Sequence, residues 1–116
     1  MSPSLTSAQQ AADIVHRHFS SPSLTVGRIA KELFISESHL SMLFKKEFQT
    51  GLKAYLVAYR LDASLRLLAG NQLSIEEVSI RVGFQSASYY SSVFKKRYGI
   101  SPKTYAMKHV FAGSAS

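Results

Sequence analysis

Apolar residues recur at helical spacing along almost the whole chain, and short polar or glycine-containing breaks divide them into about seven stretches. Ser7-Ala8-Gln9-Gln10 reads as a capping box, with Ser7 accepting from a free backbone N–H and Gln10 reaching back. It opens a helix over Ala8–Phe19 with Ala12, Val15 and Phe19 inward and Ile14 and His18 flanking them. Ser20-Ser21-Pro22-Ser23 interrupts the chain. Thr25 then caps a short helix over Val26–Leu33, and Ser36 caps a longer one over Glu37–Phe48, where Glu37 suits the positive helix start. Past Gly51, a long helix over Leu52–Leu68 carries two apolar stripes and so packs on both sides. One is Leu52, Tyr55, Leu56, Tyr59 and Ala63; the other is Leu61, Leu65 and Leu68.

After the stop at Gly70-Asn71 the same sequence of signals begins again. Ser74-Ile75-Glu76-Glu77 is a capping box for a short helix to Arg81, and Gly83 can take the positive φ of a tight turn. Ser86 starts a longer helix ending near Tyr98, with Gly99 behind it, and Ser101-Pro102 starts a last helix to about Val110. No segment alternates with period two for long enough to make a strand. The chain is therefore expected to be all-α.

The restart is a true internal repeat. Leu43-Phe44-Lys45-Lys46-Glu47-Phe48 answers Val93-Phe94-Lys95-Lys96-Arg97-Tyr98 at fifty residues. Ser36 and Ser86, Ser38 and Ser88, Ser41 and Ser91, Lys53 and Lys103, and Tyr55 and Tyr105 pair at the same distance. Upstream, Leu24-Thr25-Val26 answers Leu73-Ser74-Ile75, and Ile29 answers Val78, at forty-nine. A match of this length marks one supersecondary unit built twice. The expected organisation is a flexible stub at 1–6, a first unit at 7–51, a linking helix at 52–69, a second unit at 70–111 and a disordered tail at 112–116.

Charge changes the picture more than overall composition does. Among 116 residues, 14 Lys and Arg stand against 7 Asp and Glu, a net charge of +7. That favours a polyanionic partner such as nucleic acid or an anionic membrane surface. The absence of cysteine excludes disulfides, thiol chemistry and Cys-type zinc sites. No apolar run approaches the ~18 residues of a membrane span. The opening residues lack the features of a signal peptide, so a cytoplasmic location is the default expectation.

Each unit reads as short helix, tight turn, longer helix, the order of a helix-turn-helix module whose second helix enters the DNA major groove. On the first longer helix Leu40, Leu43 and Phe44 face inward, leaving Ser38, Ser41, Met42 and Lys45 outward at i, i+3, i+4 and i+7. On the second, Tyr90, Val93 and Phe94 face inward and Ser88, Ser91, Ser92 and Lys95 outward. Small outward residues let a helix approach base edges closely. The candidate base-facing set is Ser38, Ser41, Met42, Ala87, Ser88, Ser91 and Ser92; the candidate phosphate contacts are Ser36, His39, Lys45, Lys46, Ser86, Lys95 and Lys96. Neither stripe carries Arg, Asn or Gln, so specificity is expected to lean on serine contacts, thymine-methyl packing by Met42 or Ala87, bridging water and DNA shape. A linking helix of about 17 residues spans ~25 Å at ~1.5 Å per residue, which with the width of the flanking modules suits two outward helices about one DNA turn apart.

The stretch from Ile80 through Gly83-Phe84 and Phe94-Lys95 to Gly99-Ile100-Ser101-Pro102 and Tyr105 resembles the signature of the AraC/XylS family of bacterial transcription regulators. Ala30, Leu33, Ser36, Leu40, Phe44-Lys45-Lys46 and Gly51 carry the likeness into the first repeat, so it covers roughly Ser7–Lys108. The resemblance implies two helix-turn-helix subdomains joined by a long helix, binding to an asymmetric double-stranded DNA site, and contact with RNA polymerase in activators. Members usually carry a further sensing or dimerising domain. The chain is then either a stand-alone member or a C-terminal fragment; the Ser-Pro-Ser start is consistent with a linker stub and favours the fragment, expected to be monomeric. Three positions depart from the family pattern: Phe34 where the first turn often has Gly, Gln85 where Asp is common, and Ser92 where Arg is frequent. The first of these predicts a slightly strained turn.

The competing reading is a protein-interaction module using one helix-turn-helix unit, since the fold supports both. The lysines on both longer helices favour DNA. An enzyme is the weakest reading. His16 and His18 point to different helix faces and make a poor metal pair, and the serines have no activating partner in sequence context, so neither cofactor nor metal is expected.

Overall fold

Seven α-helices follow one another in the computed structural model, which describes residues 4–115, with side chains as far as His109. They are α1 (Ser7–His18), α2 (Val26–Glu32), α3 (Glu37–Phe48), α4 (Leu52–Gly70), α5 (Ile75–Arg81), α6 (Ala87–Tyr98) and α7 (Pro102–Ala115). No strand occurs among the described residues. The chain forms two compact units that divide inside α4, residues 1–59 and 60–116.

In the first unit α1 packs chiefly against α3, and α2 closes over the same core. Ala8, Ala11 and Ala12 are buried, and their small side chains let α1 approach its neighbours closely. The centre holds Val15, Ile29, Leu40 and Phe44, with Leu52 and Leu56 entering from the first half of α4. Phe44 stacks on Phe48 with ring centroids 4.4 Å apart and meets Tyr55 edge-on at 5.2 Å. Burial of a side chain such as Phe44 stabilises the fold by ~1.5–3 kcal/mol. His16 lies outside this core, where its Nε2 is 2.5 Å from the Tyr55 hydroxyl and its ring stacks on Tyr59 at 4.7 Å.

The second unit repeats the plan around Val78, Val82, Phe84, Tyr90 and Phe94, with Leu61 and Leu68 from the second half of α4. Periodicity did not mark two polar residues of α4 that are also buried, Arg60 and Ser64. The Tyr90 hydroxyl donates to Ser64 Oγ at 2.9 Å, and Ser64 donates onward to the Leu61 carbonyl at 2.7 Å, so neither hydroxyl is buried without a partner. The Arg60 guanidinium lies 6.0 Å from the centre of the Phe84 ring, a favourable cation–π placement.

The two turns explain why the repeat distance changes from forty-nine to fifty. Both begin alike: Phe34 N–H donates to Lys31 O and Ile35 N–H to Ala30 O, while Gly83 N–H donates to Ile80 O and Phe84 N–H to Ser79 O. The first turn then passes directly to its cap, Ser36, whereas the second inserts Gln85 before Ser86. The tight position needs a left-handed backbone in both cases. Gly83 supplies it at φ 100 without strain, but in the first turn Phe34 is held at φ 60, the strained geometry expected there. The ends of α3 and α6 show the same contrast, with Gln49 at φ 64 and Gly99 at φ 82, each N–H bonding the Lys45 or Lys95 carbonyl.

Expected boundaries hold closely for α2 to α6, and the Thr25, Ser36, Ser74 and Ser86 caps all form. The first cap is one residue earlier than expected. Thr6 and Gln9 form the box rather than Ser7 and Gln10, and Gln10 bonds the Leu5 carbonyl instead. Two overlapping boxes are spelled by Thr6-Ser7-Ala8-Gln9-Gln10, and the Thr6 register lets its hydroxyl also donate to Glu47 at 3.0 Å. At the other end α7 continues to Ala115, past the expected stop near Val110, because no proline follows to end it and Gly113 alone weakens a helix without breaking it. Residues 1–3 of the expected stub, and Ser116 of the expected tail, lie outside the described residues.

Candidate nucleic-acid interface

Helices α3 and α6 each bury one stripe and turn the other to solvent. In α3, Leu40 and Phe44 are fully buried and Leu43 is half-buried. Ser38, His39, Ser41, Met42, Lys45 and Lys46 are all exposed, so the sequence-derived face stands intact in the first unit. Ser36 is exposed at the head of the helix, where its Oγ accepts from the His39 N–H at 3.1 Å. That leaves its hydroxyl proton able to donate to a phosphate oxygen. Ser86 does the same for α6, accepting from the Tyr89 N–H at 3.1 Å.

The face of α6 is rotated relative to the expectation. Ser88, Ser92, Lys95 and Lys96 are exposed, but Ala87 and Ser91 are half-buried. Both lie beside the inward stripe of Tyr90 and Phe94, at i, i+3, i+4 and i+7 with them, so they form the rim of the face and not its centre. The centre holds Tyr89, which sequence reasoning passed over. It is exposed, and its ring is 5.9 Å from that of Phe84. The signal was present, since Tyr89 stands fifty residues after His39. The matched triplets are His39, Met42 and Lys46 in α3 and Tyr89, Ser92 and Lys96 in α6.

Electrostatics separate the basic residues of α6. Arg97 is drawn back to Asp62 at 3.4 Å and to the Tyr98 hydroxyl at 3.3 Å. The Tyr98 contact is the main cause of its raised pKa. Tyr98 itself donates to Asp62, and burial first, then this bond, pushes its pKa up to about 12. Lys95 and Lys96 instead project from the exposed face. Behind that face, burial pulls the Arg60 pKa down while the nearby Tyr89 pushes it back up. Phe84, between Arg60 and Tyr89, fixes the base of the second face.

Comparison with known proteins decides the family. Residues 29–108 match the helix-turn-helix domain family, which spans both repeats. The chain belongs to the AraC-type helix-turn-helix family of transcription regulators. It is 38% identical over 96 residues to the Msm operon regulatory protein of Streptococcus mutans, covering 83% of this chain and 34% of that protein. Against the xylose operon regulatory protein of Escherichia coli K12 the identity is 34% over 96 residues, covering 83% of this chain and 24% of the regulator. The chain thus spans about a third or less of the length of these curated relatives. Among solved structures it is similar to the C-terminal domain of AraT, a response regulator from Geobacillus stearothermophilus. That match has a TM-score of 0.85 and 31% identity, covering 92% of this chain and 88% of the other. The DNA-binding domain of AdpA, solved with a target DNA, shares the fold at a TM-score of 0.77 and 22% identity, covering 86% of this chain and 92% of that one. The all-α fold and the two helix-turn-helix units expected from the sequence agree with these structures. No helix among the described residues is long and apolar enough to cross a membrane.

Proposed function

We propose that the chain binds double-stranded DNA sequence-specifically as the DNA-binding part of a bacterial transcription regulator acting in the cytoplasm, with α3 and α6 entering successive major grooves. One observation carries the reading: the same construction, a tight turn, a serine cap, a solvent-exposed outward helix face and a terminal lysine pair, is built twice on one chain. Ser36, His39, Lys45 and Lys46 in the first unit, and Ser86, Lys95 and Lys96 in the second, are the phosphate contacts. Ser38, Ser41 and Met42, then Ser88, Ser92 and Tyr89, face the bases, with Ala87 and Ser91 at the rim. Met42 is 62% exposed, and its thioether and methyl suit a thymine methyl group. Relatives act as regulators, so the reading is of a binding protein. Contact with RNA polymerase is part of the same proposal for the longer regulator.

Selection of bound duplexes from a random pool tests the reading. Recovery of a site with two elements about one helical turn apart, bound with a steep negative dependence on salt, is the expected result. A single short element would exclude two-groove binding, and salt-insensitive retention would favour a protein-interaction module instead.

A further inference from the structure

The first helices of the two repeats have equivalent cores and opposite surfaces. At the forty-nine-residue offset Ile29 matches Val78 and Ala30 matches Ser79, and all four are buried. The exposed positions between them do not match. Arg28 stands where the second repeat has Glu77, Lys31 where it has Ile80, and half-buried Gly27 where it has exposed Glu76. Arg28 and Lys31 line one shallow hollow on α2 with Glu32. On α5 the same ground carries two carboxylates and Ile80, which is 67% exposed, while exposed Arg81 takes the place of Glu32 at the end of the helix, so α2 is net positive and α5 net negative. Glu77 is fixed there because its carboxylate accepts from the Ser74 N–H at 3.0 Å, and that backbone bond chiefly lowers its pKa, keeping it charged.

The longer helices diverge in the reverse sense. In α3, Lys45 and Lys46 share the helix with Glu37 and Glu47, so it carries no net charge. α6 itself contains no acidic residue beside Lys95, Lys96 and Arg97; Arg97 is held by Asp62 of α4, which leaves the two lysines as its outward charge. Glu47 and Arg97 occupy matching positions. Net positive charge therefore sits on the first helix of one unit and on the second helix of the other.

In a helix-turn-helix module the first helix crosses the DNA backbone. Cations there meet phosphate, while the carboxylates of α5 would be repelled by it. We propose that the two repeats hold the DNA backbone with different helices. The first repeat uses Arg28 and Lys31 on α2, in addition to its lysine pair. The second uses Lys95 and Lys96 on α6, and its α5 stays off the phosphates. This rests on the DNA-binding reading above and assigns the grip within it.

The test is the slope of log affinity against log salt for the whole chain on a duplex recovered by selection. Arg28→Gln with Lys31→Gln reduces the slope by about two, at roughly 0.9 for each phosphate no longer neutralised. Lys95→Gln with Lys96→Gln reduces it by a similar amount. Glu76→Gln with Glu77→Gln leaves it unchanged, and the side-chain amide oxygen introduced at the second position still accepts within the capping box. Ile80→Lys, which places on α5 the cation that α2 has at Lys31, also leaves it unchanged. All these side chains are exposed, and an unaltered circular dichroism spectrum checks the fold of each variant. If Ile80→Lys steepens the slope by about one, or the Arg28/Lys31 pair leaves it unmoved, the divided grip is wrong while DNA binding stands. If the unaltered chain shows no salt-dependent duplex binding, both fail.

Discussion

Phe34 is held in a strained backbone conformation, and relieving it should stabilise the protein. Its φ of 60 places an aromatic residue in the left-handed region, where the Cβ crowds the following carbonyl at a cost of ~1–2 kcal/mol. Nothing in the first unit's core offsets this, because the residue is 93% exposed. Phe34→Gly removes the crowding but gives the unfolded chain extra freedom, which costs ~0.4–1 kcal/mol. The expected net gain is ~0.5–1 kcal/mol, equivalent to several degrees in Tm for a domain of this size. Phe34→Ala is the control: it deletes the same exposed ring and keeps the Cβ, so it should lie within ~0.5 kcal/mol of the unaltered chain. Urea unfolding followed by circular dichroism at 222 nm measures both. The glycine variant should be the more stable of the pair. If it is equal to or less stable than the alanine variant, backbone strain at this turn is not a cost to the fold, and the comparison with Gly83 loses its force.

At the matching end of the second unit, Gly99 has φ 82 and open space where a Cβ would stand, so Gly99→Ala should cost ~1 kcal/mol from backbone strain alone in the same urea assay. Ser64→Ala strands the buried Tyr90 hydroxyl and should cost ~1–3 kcal/mol, whereas Tyr90→Phe leaves Ser64 bonded to the Leu61 carbonyl and should cost less. Tyr90 also sets an alkaline limit. Burial, opposed by Ser64, raises its pKa from 10.0 to about 12, so its stabilising effect is full below pH 10 and is lost as pH rises towards 12. A denaturation series over that window should fall less steeply in Tyr90→Phe, with Tyr98, raised to about the same value, supplying part of the remaining slope. In gel-shift titrations, replacing Ser91 and Ser92 with alanine should weaken DNA binding less than replacing Lys45 and Lys95, and the opposite order would undo the division between phosphate grip and base reading. Tyr89→Ala should relax sequence preference at positions of the second element in a repeated selection, while a variant with an unchanged recovered site would remove Tyr89 from the reading face.

What the sequence made legible was whatever is spelled by local chemistry. Helix starts were readable because Thr25, Ser36, Ser74 and Ser86 are side chains that bond the adjacent backbone, and each does so. The core stripes of α3 and α6 were readable because burial follows the helical period. The first cap slipped by one residue because two overlapping boxes are locally equivalent, and the bond from Thr6 to Glu47, forty-one residues away, is a tertiary contact that favours the earlier one. Arg60 and Ser64 were not expected in the core, since polarity hides burial when the partners, Phe84 and Tyr90, come from another part of the chain. Tyr89 was missed for a related reason: an aromatic residue reads as core material, and only the tertiary packing shows that its neighbour Tyr90 takes that place.

The repeat was visible as matched residues, yet the two units differ mainly at their exposed positions. Buried positions kept their chemistry across the two units, as Ile29 and Val78 or Phe44 and Phe94 show, because each must fill the same space. Backbone demands were kept as well, but met differently: the left-handed turn is required in both units, and glycine supplies it in one while phenylalanine bears it in the other. Exposed positions were under neither constraint. Arg28 could give way to Glu77, Glu47 to Arg97, and Met42 to Ser92 without disturbing the fold. Two copies of a fold on one chain thus share a single architecture while exposing different side chains and different patterns of charge on it.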